Sequence, residues 1–326
     1  MSTLQTASRK SMLVLSGRAY PELANEIAEQ LGVTVTPTTA RDFANSETFI
    51  KPDESVRGSD AFVIQCFTQP VNHWMMETLI LIDALKRASA KRITVVAPFY
   101  PYARQDKKHR GREPISARLM ADLLKTAGAN RLMSIDLHTA QIQGFFDGPV
   151  DHLFAMPVLS EHIKMAYPDV DFTVVSPDTG RVRMAEQWSD RMSGAPIAFV
   201  HKTRDPLVAN KVVANRVVGD VAGRTCLLID DIIGTGGTIV KAAEVLFHAG
   251  AREVIVVATH GELAGPAAKL LQESQISKVI VTNTLPIRDE QRFDQLEVLS
   301  VAPLIARAVR EVFEDGSVTS LFDGQS

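Results

Sequence analysis

The sequence predicts an α/β fold made of two similar doubly wound parallel-sheet domains, and three observations carry that prediction. A helix–strand unit recurs along the chain, the strand in each copy is apolar along nearly its whole length, and copies occur in both halves of the 326 residues. The copies are ALKRASAKRITVVAPF (84–99), LLKTAGANRLMSIDLH (123–138) and LFHAGAREVIVVATH (246–260), with a fainter one in ESQISKVIVTNT (273–284). Each joins a helix end to a small-residue stop, a polar step and a β-branched strand. Gly128 and Gly250 stand where a helix C-terminus favours positive φ. Strands without polar alternation are those covered on both faces, and alternation of α with β then means a parallel sheet.

The length suffices for two domains, each with its own core. Internal duplication is the economical origin. The join is expected near Met156 to Ser160, dividing the chain into 1–156, joined by the tail 311–326, and 157–310. A hydrophobic fraction of 45%, with 22% charged residues, is ordinary for a globular protein. The net charge of −3 gives no global attraction to nucleic acid or to an anionic membrane, so any anion site must be local. No segment is long enough to span a bilayer, and the early run MLVL reads as a first strand rather than a signal peptide. Cys66 and Cys226 lie in apolar runs without metal or redox spacing, which predicts inert buried thiols and a cytoplasmic setting.

Ligands of open parallel sheets bind beyond the C-terminal ends of strands, so the turns after each strand are where function is expected. After RITVVA comes PFYPYARQDKKHRGREP (98–114), with five Lys/Arg residues and His109 ahead of a helix whose Ile115, Leu119, Leu123 and Ala127 form one apolar face. Such a loop is most often solvated surface. The near-neutral charge elsewhere favours a compact polyphosphate over nucleic acid as its partner, with Arg104 clamping phosphate oxygens. After LMSI comes His138, and after FTVVS comes Asp178, which together make a shared ion or phosphate site plausible, although His is an unusual magnesium ligand. HKTRDPLVANK (201–211) reads as a loop. If it closes over the site, Lys202 and Arg204 neutralise charge on a transferred phosphoryl group.

LLIDDIIGTGGTIV (227–240) is the most informative stretch. It lacks the Gly-Lys-Ser/Thr of a P-loop, and Ile239 stands where a dinucleotide fingerprint needs its third glycine. Asp230 and Asp231 suit the hydroxyls of a sugar, while the N–H groups of Thr235, Gly236, Gly237 and Thr238 at a helix start suit its phosphate. The plainer alternative is a tight turn in which Thr238 caps the helix and the acids are solvated. Capping requires neither adjacent acids nor two glycines.

With these stretches in hand, the chain resembles the ribose-phosphate pyrophosphokinase family nearly from end to end. The resemblance runs through SGRAYPELA, FANSETFI, ESVRGSD, PYARQDKK, DLHTAQIQGFFDGPVDHL, VVSPDTG, LIDDII, VTNTLP and SVTSLF. It implies two domains of phosphoribosyltransferase type. It also implies magnesium-dependent transfer of the pyrophosphoryl group of ATP to the anomeric hydroxyl of ribose 5-phosphate. The products are AMP and phosphoribosyl pyrophosphate, used in nucleotide, histidine and tryptophan biosynthesis. On that resemblance Phe43, Asn45 and Glu47 form an adenine-binding hairpin serving a neighbouring subunit, and Arg104 and Gln105 bind ATP. His138 and Asp178 serve magnesium–ATP, Lys202 and Arg204 belong to the catalytic loop, and Asp230, Asp231 and Thr235 to Thr238 bind ribose 5-phosphate. Ser55, Arg57 and Ser317 match a regulatory site for ADP and phosphate. The family pattern also implies a homo-oligomer, typically a hexamer, with active sites at subunit interfaces.

Two positions depart from that pattern. Gly234 replaces the third aspartate of the usual DDIIDT, and His109 stands where relatives carry an acid or a small residue. Gly234 keeps open the reading of a weakened or non-catalytic regulatory relative, which the retention of His138, Asp178, Lys202 and Arg204 disfavours. A phosphoribosyltransferase would share the acid pair and the Gly–Thr loop, and the duplicated architecture and the ATP-type motifs of the first half disfavour it.

Overall fold

The computed structural model describes residues 10–204 and 212–322. The chain divides into two compact units, Met1–Leu153 with Ala302–Ser326, and Phe154–Val301. In the first, β1 (Met12–Ser16) leads through α1 (Pro21–Leu31) to an antiparallel hairpin of β2 (Thr38–Asp42) and β3 (Thr48–Pro52). There follow β4 (Asp60–Ile64), α2 (Val71–Arg87), β5 (Arg92–Ala97), α3 (Ser116–Ala127), β6 (Arg131–Ile135) and β7 (Val150–Leu153). The sheet order is β1-β4-β5-β6-β7, every pair parallel. Val14 of β1 also bridges Val35 on the side away from β4. The winding direction therefore reverses between β1 and β4, which makes that crevice the switch point.

Successive strand residues alternate faces. Leu15, Val63, Val95 and Leu132 share a core with Leu81 and Leu85 of α2 and Leu124 of α3. On α3 the buried residues are Ala117, Met120, Ala121 and Leu124, while Ile115, Leu119 and Leu123 are exposed. The apolar face expected from the sequence is thus not the one that packs on this unit. Ala117 and Ala121 let the helix approach closely, and the bulkier stripe is left outside.

The second unit begins with α4 (Met156–Ala166), β8 (Phe172–Ser176) and α5 (Val182–Arg191). It continues with β9 (Ile197–Arg204), β10 (Val212–Val218), β11 (Thr225–Ile233), α6 (Gly237–His248), β12 (Glu253–Gly261), α7 (Ala267–Gln272), β13 (Lys278–Thr282) and β14 (Leu296–Leu299). Its order is β10-β9-β8-β11-β12-β13-β14, parallel except for the β9–β10 hairpin. β9 joins β8 on one side and β11 joins it on the other, so the switch point lies between β8 and β11. Both units follow one succession: strand, helix, edge segment with hairpin, then a strand back on the other side of the first.

The last helix, α8 (Ala302–Phe313), returns to the first unit and packs on α1 through a face that includes Leu304, Ile305, Ala308, Val309 and Val312. Beyond it Asp315 pairs with Lys10 and Arg92, and Arg92 also pairs with Asp60 at the start of β4. The return starts at Ala302, earlier than the expected Glu311, because α1 completes the apolar contact of the whole helix. The other division falls at Leu153, three residues before the expected 156. Gly128 (φ +132) and Gly250 (φ +90) take the positive φ that the repeat requires, and Ser89 (φ +67) takes it in the first copy. Cys66 and Cys226 are buried, and burial raises both thiols, Cys226 to about 12. Neither is a reactive thiolate.

Candidate active site

At the second switch point β11 outruns its neighbour. β8 pairs with it only as far as Leu228, whereas β12 accompanies it to Ile233. Asp230 and Asp231 therefore lie inside the strand rather than after it, as the sequence had suggested. The support of β12 on one side carries the backbone past the end of β8. The loop that follows is fixed by its own carbonyls, since Ile233 and Gly234 accept the N–H groups of Leu263 and Ala264 at 3.0 Å. Gly236 then takes φ +78 as the N-cap of α6, and a Cβ there would stand 3.3 Å from the Ala267 Cα. Only glycine meets both demands.

No side chain caps α6, and Thr238 sits within its first turn. The reading of Thr238 as a mere cap is excluded. The first N–H groups of a helix have no intrahelical partner and carry partial positive charge, so this loop presents donors suited to a phosphate. Thr235 and Thr238 are exposed beside it.

The acids have a cationic neighbour that sequence reasoning missed. After β8, Asp178 accepts the Gly180 N–H at 2.8 Å and starts a short 3-10 turn, Thr179–Arg181. Arg181 Nη2 lies 2.7 Å from Asp231 Oδ2, and its Nε lies 3.6 Å from Asp230 Oδ1. The Asp231 N–H donates to Asp230 Oδ1 at 2.9 Å. Burial, followed by the hydrogen bond and charge of Asp231, pushes the Asp230 carboxyl up to about 8, and Arg181 opposes that shift. The only sequence signal for Arg181 was a basic residue three positions after a strand-end acid.

In the first unit the loops after β5 and β6 are tied together by Asp106, itself buried. Its Oδ2 accepts Thr139 Oγ1 at 2.7 Å and Gln141 Nε2 at 2.8 Å. Gln105 accepts the Ser116 hydroxyl at 2.6 Å, and Arg104 is exposed beside it. His138 follows β6 half-buried. Asp106 is a second residue that the sequence did not single out, and it holds in register the two turns that carry Arg104 and His138.

The β2–β3 hairpin projects Phe43, which is 45% exposed, with the Arg41 guanidinium stacked on Phe43 and Phe49 at 5.3 and 4.9 Å. Asn45 closes the turn by accepting the Glu47 N–H at 3.2 Å. The hairpin is held beside its turn by Arg18, which pairs with Asp42 at the end of β2 and with the fully buried Glu77 of α2. Ser55 and Arg57 are exposed in the turn that enters β4, and Ser317 is exposed in the tail beside Asp315. Asp60 and Arg92, to which Asp315 is linked, start β4 and β5, so these three positions belong to the N-terminal edge of the sheet.

The segment 201–211 differs from the loop expected. His201 to Arg204 end β9, with Lys202 opposite Asn215 and Arg204 opposite Val212. The Lys202 and Arg204 side chains, and residues 205–211, lie outside the described residues. Among the described residues no group of three or more His, Cys, Asp or Glu gathers to hold a metal. Magnesium commonly uses one or two carboxylates, water and substrate phosphates, so the half-buried Asp178 fits an ion that arrives with a polyphosphate.

Comparison with known proteins agrees with this geometry. Residues 12–128 match the N-terminal domain of ribose phosphate pyrophosphokinase, and residues 174–323 match the phosphoribosyl synthetase-associated domain. The ribose-phosphate pyrophosphokinases of Mycobacterium tuberculosis and Streptomyces coelicolor are 63% and 62% identical to it, each over 100% of both chains. The crystal structure of phosphoribosylpyrophosphate synthetase from Mycobacterium smegmatis superposes with a TM-score of 0.90 at 61% identity, covering 94% of this chain and all of that one. Two domain matches and full-length identity of this order place the chain in the ribose-phosphate pyrophosphokinase family.

Proposed function

We infer that this member of the family transfers the pyrophosphoryl group of ATP to the anomeric hydroxyl of ribose 5-phosphate, releasing AMP and phosphoribosyl pyrophosphate. The observation that carries this reading is the pairing, at one switch point, of two strand-end carboxylates with a glycine-capped helix start that no side chain caps. Asp230 and Asp231 accept hydrogen bonds from the ribose hydroxyls, and the N–H groups of residues 235–238 receive the 5-phosphate. The anomeric oxygen is thereby fixed for attack on the β-phosphorus, and catalysis is chiefly alignment. Phe43, Asn45 and Glu47 hold adenine, Arg104 and Gln105 hold the polyphosphate, and Lys202 and Arg204 neutralise charge as it shifts to the leaving group.

His138 and Asp178 are the residues assigned to the metal. Magnesium, when bound with ATP, supplies charge neutralisation at the phosphates. The protein acts as a homo-oligomer, a hexamer built of dimers, a reading supported by the exposed apolar Phe43, Ile115, Leu119 and Leu123. ADP and phosphate regulate it through Ser55, Arg57 and Ser317. The shared succession of elements in the two units supports an origin by duplication. No helix among the described residues is long and apolar enough to cross a membrane, and the assigned setting is the cytoplasm.

The test is release of AMP from ATP, ribose 5-phosphate and magnesium by the purified chain. Absence of AMP above a boiled control overturns the reading. Consumption of phosphoribosyl pyrophosphate with a nucleobase in its place assigns the chain to phosphoribosyl transfer.

A further inference from the structure

Arg181 bridges the two carboxyl groups at the end of β11. Adjacent residues in a strand point to opposite faces, so Asp230 and Asp231 cannot both face a ligand unless something gathers them. The Asp231 N–H draws Asp230 Oδ1 to 2.9 Å, and the guanidinium spans both side chains, at 2.7 Å from one and 3.6 Å from the other. The site is closed to water to a degree that matters. The side chains are 4% exposed at Asp231, 15% at Asp230 and 20% at Arg181.

Two carboxyl groups so placed repel one another when both are ionised and lose hydration, and a fixed cation beside them offsets part of that cost. An arginine suits the task because its planar fork reaches two acceptors at once, which a lysine ammonium does less well. The backbone delivers it there deliberately. Asp178 accepts the Gly180 N–H and sets the turn that ends in Arg181, immediately before α5.

We propose that Arg181 is a positioning residue for ribose 5-phosphate, gathering Asp230 and Asp231 as one acceptor for the sugar hydroxyls. The proposal rests on the assignment of ribose 5-phosphate to this loop. Arg181 acts through the carboxylates and makes no bond to the reacting atoms. The guanidinium lies on Asp231 Oδ2 and beside Asp230 Oδ1, the oxygen that also accepts the Asp231 N–H.

The experiment compares steady-state kinetics of the full chain with Arg181→Met and Arg181→Lys. For Arg181→Met, KM for ribose 5-phosphate is expected to rise roughly 10- to 100-fold, the equivalent of one charge-assisted hydrogen bond, with KM for ATP moving by less than about twofold. Arg181→Lys is expected to fall between the two, since it restores the charge without the fork. In an Asp231→Asn background the same Met substitution should have little further effect, because its partner is already lost.

An unchanged KM for ribose 5-phosphate overturns the proposal, as does a lowered one, which would make the guanidinium a competitor of the sugar. A joint rise in both KM values with a lower melting temperature shows a general structural role and also overturns it. If Arg181→Met fails to fold, Arg181→Lys and direct calorimetric titration with ribose 5-phosphate decide. Parent enzyme that releases AMP while Arg181→Met matches it in every constant refutes the role of Arg181 and leaves the activity standing.

Discussion

Replacing Arg18 by Met tests whether the buried end of its ion-pair network, and not the exposed end, holds the first unit together. Glu77 has a fully buried side chain and three donors: the Arg18 N–H at 2.8 Å, the Arg18 guanidinium, and Gln65 Nε2 at 3.2 Å. Removing one partner of a fully buried pair costs about 3–5 kcal/mol. Here the Arg18 side chain is 30% exposed, and the other two donors survive in Arg18→Met, so the expected loss is about 2–3 kcal/mol. For a unit of this size that is a fall of roughly 5–10 °C in the melting temperature. Circular dichroism melts measure it. Asp42 is the exposed partner, held below the usual carboxylate range chiefly by its hydrogen bond to Arg18. Asp42→Asn should melt with the parent. Both variants release the hairpin that carries Phe43, Asn45 and Glu47, so both should raise KM for ATP while leaving that for ribose 5-phosphate in place. Arg18→Met that melts with the parent refutes the reasoning, and so does Asp42→Asn that melts as low as Arg18→Met.

Three further outcomes are expected. Lys202→Ala should lower turnover about 10²–10³-fold, the usual effect of losing one preorganised charge stabiliser, and unchanged turnover removes Lys202 from the mechanism. Asp230 holds its proton up to about pH 8 in the folded chain, against about 4 when unfolded, so the folded state binds more protons between those values. Stability therefore declines as pH rises from about 4 to 8 and levels off above; melting curves of Asp230→Asn across that window should slope less, and equal slopes refute the assignment. Gly234→Asp restores the acid usual in the family and is expected to lower KM for ribose 5-phosphate or raise turnover, whereas equal kinetics show the position to be permissive.

The apolar strands and the strand-end acids were legible because burial on two faces and a βα turn each impose a local pattern. Four other features were not, for reasons that are physical. The period of α3 marks Ile115, Leu119 and Leu123 as one stripe, yet period alone does not say which stripe packs, and the small Ala117 and Ala121 allow the closer approach. The amphipathic α8 reads the same in either unit, and only its contact with α1 assigns it. The alternation of basic residues in HKTR was a period-two signal for the end of β9, which a charge-based reading took for a loop. Arg181 left only the faint signal of a basic residue three positions after a strand-end acid, since its partners lie some fifty positions away.

The two switch points explain why only one is assigned a sugar phosphate. Each unit brings together the turn after its first strand and the end of the strand that returns beside it. In the first unit those positions supply Gly17, Arg18 and Gln65, and the crevice is closed from within. A Cβ on Gly17 would lie 2.3 Å from the Gln65 amide, so the glycine exists to let that side chain lie across the strand end, where it meets Glu77. In the second unit the same positions supply Asp178, Arg181, Asp230 and Asp231, and a glycine-capped helix opens beside them. The first unit spends its charged residues on one another and uses them to hold an arm, the β2–β3 hairpin, through Arg18 and Asp42. In the second, both acids stand on the returning strand itself, beside the N–H groups of a helix start that no side chain caps. One topology thus yields a brace in one unit and a candidate binding site in the other, and the difference lies in where the acids stand: on a helix and a hairpin in the first, on the returning strand beside an uncapped helix start in the second.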